Sequence, residues 1–371
     1  MKLGDCMTIV RGVSYKPADL HRELHSESVI LLRANNIAGG RINHDDVQYV
    51  DLAKVKEQQY LRRGDILVCA SSGSKKLVGK AALIQEDAHE VFGTFCLVIR
   101  PEESVEPGYL GHYFQSLQYR NAIEVVCTGS NIKNLKPAHF NELDVNIPDV
   151  ATQRDIVKRL DGIQVQIAEY QALLVQLDEL VKSRFVEMFG DPDTNPLSIN
   201  TMSGSKLFKL GNGKARPQAQ RFEKGVPAYG GNGISWYTNE VLVDHPTIVI
   251  GRVGRHCGNT RLVEEPCWVT DNAMYIRDFK VNCFDMIYLS TLMEVIDFNR
   301  FADAGDLWKI TQKPFMEYRY PVPPLALQQE FAAFVAQVDK LKLEAREVIT
   351  KLQILYDSLA QEFFAPEEAA A

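Results

Sequence analysis

Residues 147–160 read IPDVATQRDIVKRL, and residues 322–335 read VPPLALQQEFAAFV. Aligning Gln153 with Gln328 brings Pro148 onto Pro323 and Ala151 onto Ala326. At the same offset Glu169 meets Glu344, and Leu177, Leu180, Ser183, Glu187 and Phe189 meet Leu352, Leu355, Ser358, Glu362 and Phe364. A self-match at constant offset over about 40 positions is the mark of an internal duplication.

Both copies predict long helices. In the second, Val338, Leu341, Ala345, Val348, Leu352, Leu355 and Leu359 alternate steps of three and four, which is a heptad seam. The first copy offers Ile163, Gln166, Tyr170, Leu173, Leu177 and Leu180 in the same register. A lone heptad helix is marginal in water, and two copies in one chain can satisfy each other. The pattern predicts an intramolecular two-helix coiled coil, against the alternative that each stripe packs on its own globular neighbour. About 27 residues at 1.5 Å each span roughly 40 Å, so a parallel pair would force the second domain to bridge that length. An antiparallel pair removes the difficulty and predicts a dumbbell. The expected divisions are a first globular domain (1–148), spacer helix and linker (149–196), a second globular domain (197–325), a second spacer helix (326–365) and a tail (366–371).

The two globular segments look like diverged copies. GDILVCASSGSKKLVGKAALI (64–84) and TIVIGRVGRHCGNTRLV (247–263) each read strand, basic loop, strand; FGTFCLVIRP (92–101) then parallels VTDNAMYIRD (269–278). Helical stretches follow around 109–123 and 284–297, then the loops TGSNIKNLKP (128–137) and AGDLWKITQKP (304–314). Strands between turn signals with a helix or two predict an α+β fold.

A length of 371 residues with 46% hydrophobic side chains suits two or three domains. No run of 18 apolar residues reads as a membrane span, and the N-terminus lacks a signal-peptide pattern, so a cytoplasmic protein is expected. Lys2 excludes N-myristoylation. The seven cysteines include no C-x-x-C pair and read as reduced thiols. The net charge of −7 is unevenly spread. Residues 149–196 carry 5 basic and 9 acidic side chains and residues 326–371 carry 4 and 8, whereas 197–325 carry 15 and 13. Near-neutral globular parts can still present a basic face to nucleic acid.

No catalytic constellation emerges: there is no P-loop, H-E-x-x-H or G-x-S-x-G, and NPLS (195–198) lacks the second proline and the aromatic of an amino-methyltransferase signature. GDPDTNP (190–196) reads as a turn rather than a metal site, and adjacent His256 and Cys257 are poorly spaced to chelate one zinc. The loops instead mix small residues with cations and amides suited to phosphates and base edges. The DNA-binding candidates are Arg33, Asn35, Asn36, Lys75, Lys76, Lys80, Asn131, Lys133 and Asn134 in the first half. In the second they are Tyr229, Asn232, Trp236, Tyr237, Arg252, Arg255, Arg261 and Lys309. Asn232-Gly233 reads as a hairpin turn signal first and a DNA contact second, and Trp236 as a core residue before an edge reader.

At this point the order globular–helix–globular–helix resembles the specificity (S) subunit of type I restriction–modification systems. RFVEMFGDPDTNP (184–196) looks like that family's central conserved region. The P-x-x-x-x-Q lead-ins at 148 and 323 are similar to its own, with Thr152 and Leu327 where the family often has Glu. GSNIKNL (129–135), TDNAMYI (270–276) and RANNI (33–37) look like pieces of its target recognition domains. The resemblance implies a non-catalytic subunit reading a bipartite double-stranded DNA target, one half-site per domain. It implies two methyltransferase (M) subunits and restriction (R) subunits as partners, which would carry the S-adenosylmethionine, ATP and Mg while this chain holds no cofactor. It also implies that the helices act as a ruler, near the ~34–36 Å of one DNA turn. A coiled-coil adapter without DNA specificity, or a DNA enzyme with an unrecognised site, are the competing readings.

Overall fold

The computed structural model describes residues 1–74, 77–128, 134–303, 305 and 308–365. The chain falls into two compact units: unit 1 holds residues 1–170 and 347–371, and unit 2 holds 171–346. Unit 1 contains β1 (Met7–Arg11), β2 (Leu20–His21), β3 (Ser28–Leu32), β4 (Ile37–Ala38), β5 (Arg41–Ile42), β6 (Gln48–Asp51), β7 (Ile66–Cys69), β8 (Ala81–Leu83), β9 (Glu90–Phe92) and β10 (Cys96–Pro101). Helices α1 (Pro107–Tyr113), α2 (Leu117–Thr128) and α3 (Pro137–Asn141) follow, and then α4 (Val150–Phe189), which continues into unit 2. Unit 2 contains β11 (Thr201–Ser203), α5 (Gly204–Leu207), β12 (Phe208–Asn212), β13 (Val226–Gly230), β14 (Gly233–Thr238), β15 (Thr247–Gly251), β16 (Thr260–Val263), β17 (Trp268–Val269) and β18 (Ala273–Phe279). It closes with α6 (Met286–Ile296), α7 (Lys313–Glu317), β19 (Arg319–Pro321) and α8 (Leu325–Phe364), whose last turns belong to unit 1.

The duplication suggested by the helices extends to the sheets. Unit 1 has a four-stranded antiparallel sheet in the order β1-β10-β7-β8, and unit 2 repeats it as β12-β18-β15-β16. The apolar runs ILVC of β7 and TIVIG of β15 are buried throughout, as central strands covered on both faces must be. A second sheet pairs β3 with β9 in parallel in unit 1, and β13 with β17 in parallel in unit 2. Antiparallel sheets with helices beside them give the expected α+β class.

The repeated Pro…Gln stretch has the same structural reason in both units. Gln153 Oε1 accepts from the Glu106 N–H ahead of α1 at 2.7 Å, while its Nε2 donates to the carbonyls of Ser104 and Pro148. Gln328 Oε1 accepts from the Asp285 N–H ahead of α6 at 2.8 Å, while its Nε2 donates to Cys283 and Pro323. Both glutamines are fully buried. Each buried side chain pairs one N–H and two carbonyls of partly buried backbone, which locks the start of a long helix to its globular body. The far ends match too. Phe364 stands edge-on to Tyr109, whose hydroxyl donates to Asn146 O. Phe189 stands edge-on to Tyr288, whose hydroxyl donates to Pro321 O.

The two long helices meet in opposite sense within each unit. In unit 1 the first half of α4 shares a core with the end of α8: Ile156, Leu160 and Ile163 lie with Tyr356, Ala360 and Phe364. In unit 2, Leu177, Val181 and Phe185 of α4 lie with Phe331, Val335 and Val338 from the start of α8. Each helix is 40 residues long, because helical geometry starts immediately after the prolines; the second lies one residue off the expected 326–365 span. Asp149 accepts from the N–H groups of Ala151 and Thr152 and so caps α4.

Part of the expected seam needs correction. The buried or half-buried series on α4 runs Ile156, Leu160, Ile163, Ile167, Tyr170, Leu174, Leu177, Val181, and on α8 it runs Val335, Val338, Lys342, Ala345, Ile349, Leu352, Tyr356. Ile163, Tyr170, Leu177, Val338, Ala345 and Leu352 keep the expected positions, with Leu359 and Val348 half-buried. Leu173, Leu180, Leu341 and Leu355 instead face solvent, and Gln166 with them. Their neighbours win because they find partners. Lys342 Nζ sits 2.7 Å from Asp178, and the Tyr356 hydroxyl lies 2.9 Å from His112 Nδ1, whose Nε2 is 3.0 Å from Asp161.

Candidate nucleic-acid interface

The basic loop after the central strand sits at the same three-loop junction in each unit. In unit 2 the Arg252 N–H donates to Asn272 O at 2.9 Å, and Arg252 O accepts from Ile310 N–H at 3.0 Å. Val253 bridges to Lys309, and the Gly254 N–H donates to Trp308 O. In unit 1 the Ala70 N–H donates to Phe95 O at 2.9 Å, and Ala70 O accepts from Leu135 N–H at 2.7 Å. Ser71 bridges to Asn134. The loops close alike as well, because Gly79 N–H donates to Cys69 O and Gly258 N–H donates to Gly251 O. Both glycines have left-handed φ, +81° and +86°; a Cβ on Gly258 would stand 2.5 Å from the Asn299 nitrogen. The backbone pattern therefore equates Ala70 with Arg252, Ser71 with Val253, Phe95 with Asn272, and Asn134 with Lys309.

Side chains at the junction are open. Phe95 is 62% exposed and Trp308 44%. Arg255, Asn272, Lys309 and Asn134 are exposed, and Arg252 is half-exposed. Among the described residues no ion pair engages Arg252, Arg255 or Lys309. Other arginines of unit 2 are committed: Arg216 to Glu240, Arg277 to Asp278, Arg300 to Asp193 and Arg184 to Glu187. Cations left unpaired at one junction are available to phosphates or base edges.

The remaining expected residues divide by location. Lys75, Lys76, Asn131 and Lys133 lie outside the described residues. Arg33, Asn35 and Asn36 form a knot around Asp46: Arg33 Nη2 and Asn35 Nδ2 each lie 3.0 Å from its Oδ2, and Asn36 Nδ2 donates to the carbonyls of Asn43 and Asp46. Asn36 is buried, and its Oδ1 accepts from Arg33 N–H, so it shapes the loop instead of facing a partner. Lys80 donates to Ile37 O at 3.2 Å. Tyr229 is likewise buried; its hydroxyl donates to Glu265, and burial first, then that bond, push the phenol pKa up. Asn232 is exposed in the two-residue turn between β13 and β14, with Gly233 at φ +98°. Trp236 and Tyr237 are half-buried, and Arg221 lies over the Trp236 ring at 5.1 Å. Arg261 lines a separate cavity of about 530 Å³ with Asn232, Gly231 and Glu294.

Sequence reading passed over Phe95, Asn272 and Trp308. The parallel between 92–101 and 269–278 held the signal for the first two, since it sets Phe95 opposite Asn272. Among the described residues no group of three or more His, Cys, Asp or Glu is gathered to hold a metal ion, and no helix is long and apolar enough to cross a membrane.

A duplicated α+β scaffold that shares two long helices and carries one loop junction dressed in two chemistries defines a class of internally duplicated two-unit proteins. The family model for the type I restriction modification DNA specificity domain matches residues 2–177 and 200–353, and the chain belongs to that family. The StySPI specificity subunit of Salmonella potsdam is 37% identical over 175 residues, covering 47% of this chain and 38% of the relative. The EcoKI specificity subunit of Escherichia coli K12 is 33% identical over 250 residues, covering 66% and 52%. The chain thus spans about half or less of the length of the curated relatives it matches. Among solved structures, the S subunit from M. genitalium aligns over 99% of this chain and 96% of its own at 15% identity, TM-score 0.53. A chain from work on complex assembly and conformational transition of the type I R-M system aligns over 98% and 96% at 17% identity, TM-score 0.55. At such identities the likeness concerns the fold.

Proposed function

We propose that the chain is the DNA-reading, non-catalytic subunit of a type I restriction–modification complex in the cytoplasm, each unit reading one half of a split duplex target. The observation that carries this is the junction. Two of its backbone bonds and one bridge recur in both units, while its side chains are Ala70, Ser71, Phe95 and Asn134 in one and Arg252, Val253, Asn272 and Lys309 in the other. A kept scaffold with a changed surface suits two dissimilar half-sites. The two long helices, each running through both units, suit a spacer between half-sites. The exposed apolar side chains Leu173, Val175, Leu180, Leu341, Ile354 and Leu355 suit docking of methyltransferase and restriction subunits, which would bring S-adenosylmethionine, ATP and Mg.

The test is selection from a pool of randomised duplexes by the full chain, purified with the subunits that accompany it. The reading expects an enriched bipartite sequence with two unlike halves. It also expects Arg252→Ala and Lys309→Ala each to lower the log–log salt slope of binding by about 1. Recovery of unenriched sequence would instead favour the adapter without DNA specificity.

A further inference from the structure

We infer that Phe95 and Asn272, one equivalent position in the two units, are the base-reading residues that make the half-sites differ; this rests on the DNA-reading function proposed above. Each occupies the short turn into the second central strand, β10 or β18. Each turn is pinned by its own carbonyl, which accepts the N–H of Ala70 or Arg252, and by flanking residues with no exposure: Phe92 and Cys96 on one side, Val269 and Ala273 on the other. A side chain that projects from so anchored a backbone holds its geometry without paying for loop ordering on binding. Phe95 is 62% exposed, a large ring left in water at no packing advantage. Asn272 is exposed too, and its amide has no hydrogen-bond partner among the described residues.

The two side chains ask for opposite base chemistry. A carboxamide matches the N6 donor and N7 acceptor of adenine in the major groove, while an apolar ring matches the C5-methyl of thymine. The neighbouring positions differ in kind. Arg252, which bonds through its backbone both to Asn272 and to the loop of Lys309, and Lys309 itself are cations with no ion pair among the described residues, whereas the equivalent Ala70 and Asn134 carry no charge. Phosphate contacts set register and carry no sequence information, so discrimination falls to the uncharged position beside them.

Modified bases test this on the sequence recovered by selection. Deoxyuridine, which lacks the methyl, is scanned through each thymine, and 7-deazaadenine, which lacks N7, through each adenine. At one thymine of one half-site, deoxyuridine should weaken wild-type binding about fourfold, the value of one buried methyl, and should leave Phe95→Ala unaffected. At one adenine of the other half-site, 7-deazaadenine should weaken wild-type binding about tenfold and leave Asn272→Ala unaffected. Each variant should keep full discrimination in the opposite half-site, which also shows that it is folded. If the wild type prefers a sequence but no modified base and variant cancel in this way, the inference falls and the DNA-reading function stands. If the wild type prefers no sequence, both fall.

Discussion

The central sheets of the two units solve one buried position differently. In unit 1, Asp65 at the start of β7 is 1% exposed and receives both Nε and Nη2 of Arg100 from β10, at 2.7 and 2.8 Å. Arg100 also donates to Tyr60 O. In unit 2 the aligned residue is Thr247, fully buried, whose hydroxyl donates to Ile276 O at 2.7 Å. The aligned arginine, Arg277, turns outward to Asp278, with both side chains about half exposed. The strand pairing is the same, so backbone register and not this pair holds the sheet. The difference teaches that the scaffold is kept by its backbone bonds and its glutamine staples while side chains around it drift.

The sharpest break of that comparison is charge removal. Arg100→Met strands a buried carboxylate and should cost unit 1 about 3–5 kcal/mol, whereas Arg277→Met should cost unit 2 no more than about 0.5 kcal/mol. Hydrogen exchange of the β7 and β15 amides reads the two units separately. Equal losses would mean that the two positions are not counterparts.

The glutamines should behave alike where the charge pair does not. Gln153→Ala and Gln328→Ala each leave a partly buried N–H and two carbonyls without their partner, and each should cost about 1–3 kcal/mol in its own unit. Denaturant unfolding followed by exchange at the first turns of α4 and α8 checks this. A large effect from one and none from the other would end the idea of a common staple.

The smallest effect concerns the turn GDPDTNP, where Asp191 Oδ1 accepts from the N–H groups of Asp193 and Thr194. Asp193 is held by Arg300, with Nη2 at 2.6 Å, and by the Tyr318 hydroxyl at 2.9 Å; these lower its carboxyl pKa, Arg300 first. A lowered folded-state pKa adds stability above the unfolded value near 4, and that stability is lost as pH falls through the folded value. Both side chains are about 40% exposed, so Asp193→Asn should cost only about 0.5 kcal/mol at pH 7. The gap between variant and wild type should close below about pH 4 in thermal melts. A gap that persists in acid would assign the effect to packing.

The repeat, the long helices and the α+β class were legible because they are written in local periodicity and in one short motif. Part of the seam was not. Leu173 adjoins Leu174, Leu180 adjoins Val181, Leu341 adjoins Lys342 and Leu355 adjoins Tyr356; on α4 two heptad registers fit the apolar pattern equally, and on α8 the pattern favours Leu341 and Leu355. The polar tips of Lys342 and Tyr356 argued for solvent until partners from other parts of the chain, Asp178 and His112, made burial favourable. The candidate site shows the same division. Arg252, Arg255 and Lys309 were named from composition, but Arg33 and Asn35 are spent on Asp46, a partner 11 or more positions away.

By itself, the sequence determined that the chain is a duplication joined by amphipathic helices, since periodicity and repeated motifs survive without any knowledge of distant contacts. Only the tertiary structure decided which heptad face is buried and which loop side chains remain unpaired. It also revealed that Phe95 and Asn272 hold one place. Those outcomes depend on which groups from remote segments arrive within hydrogen-bonding distance, and a polar side chain's fate is set by whether such a partner is there.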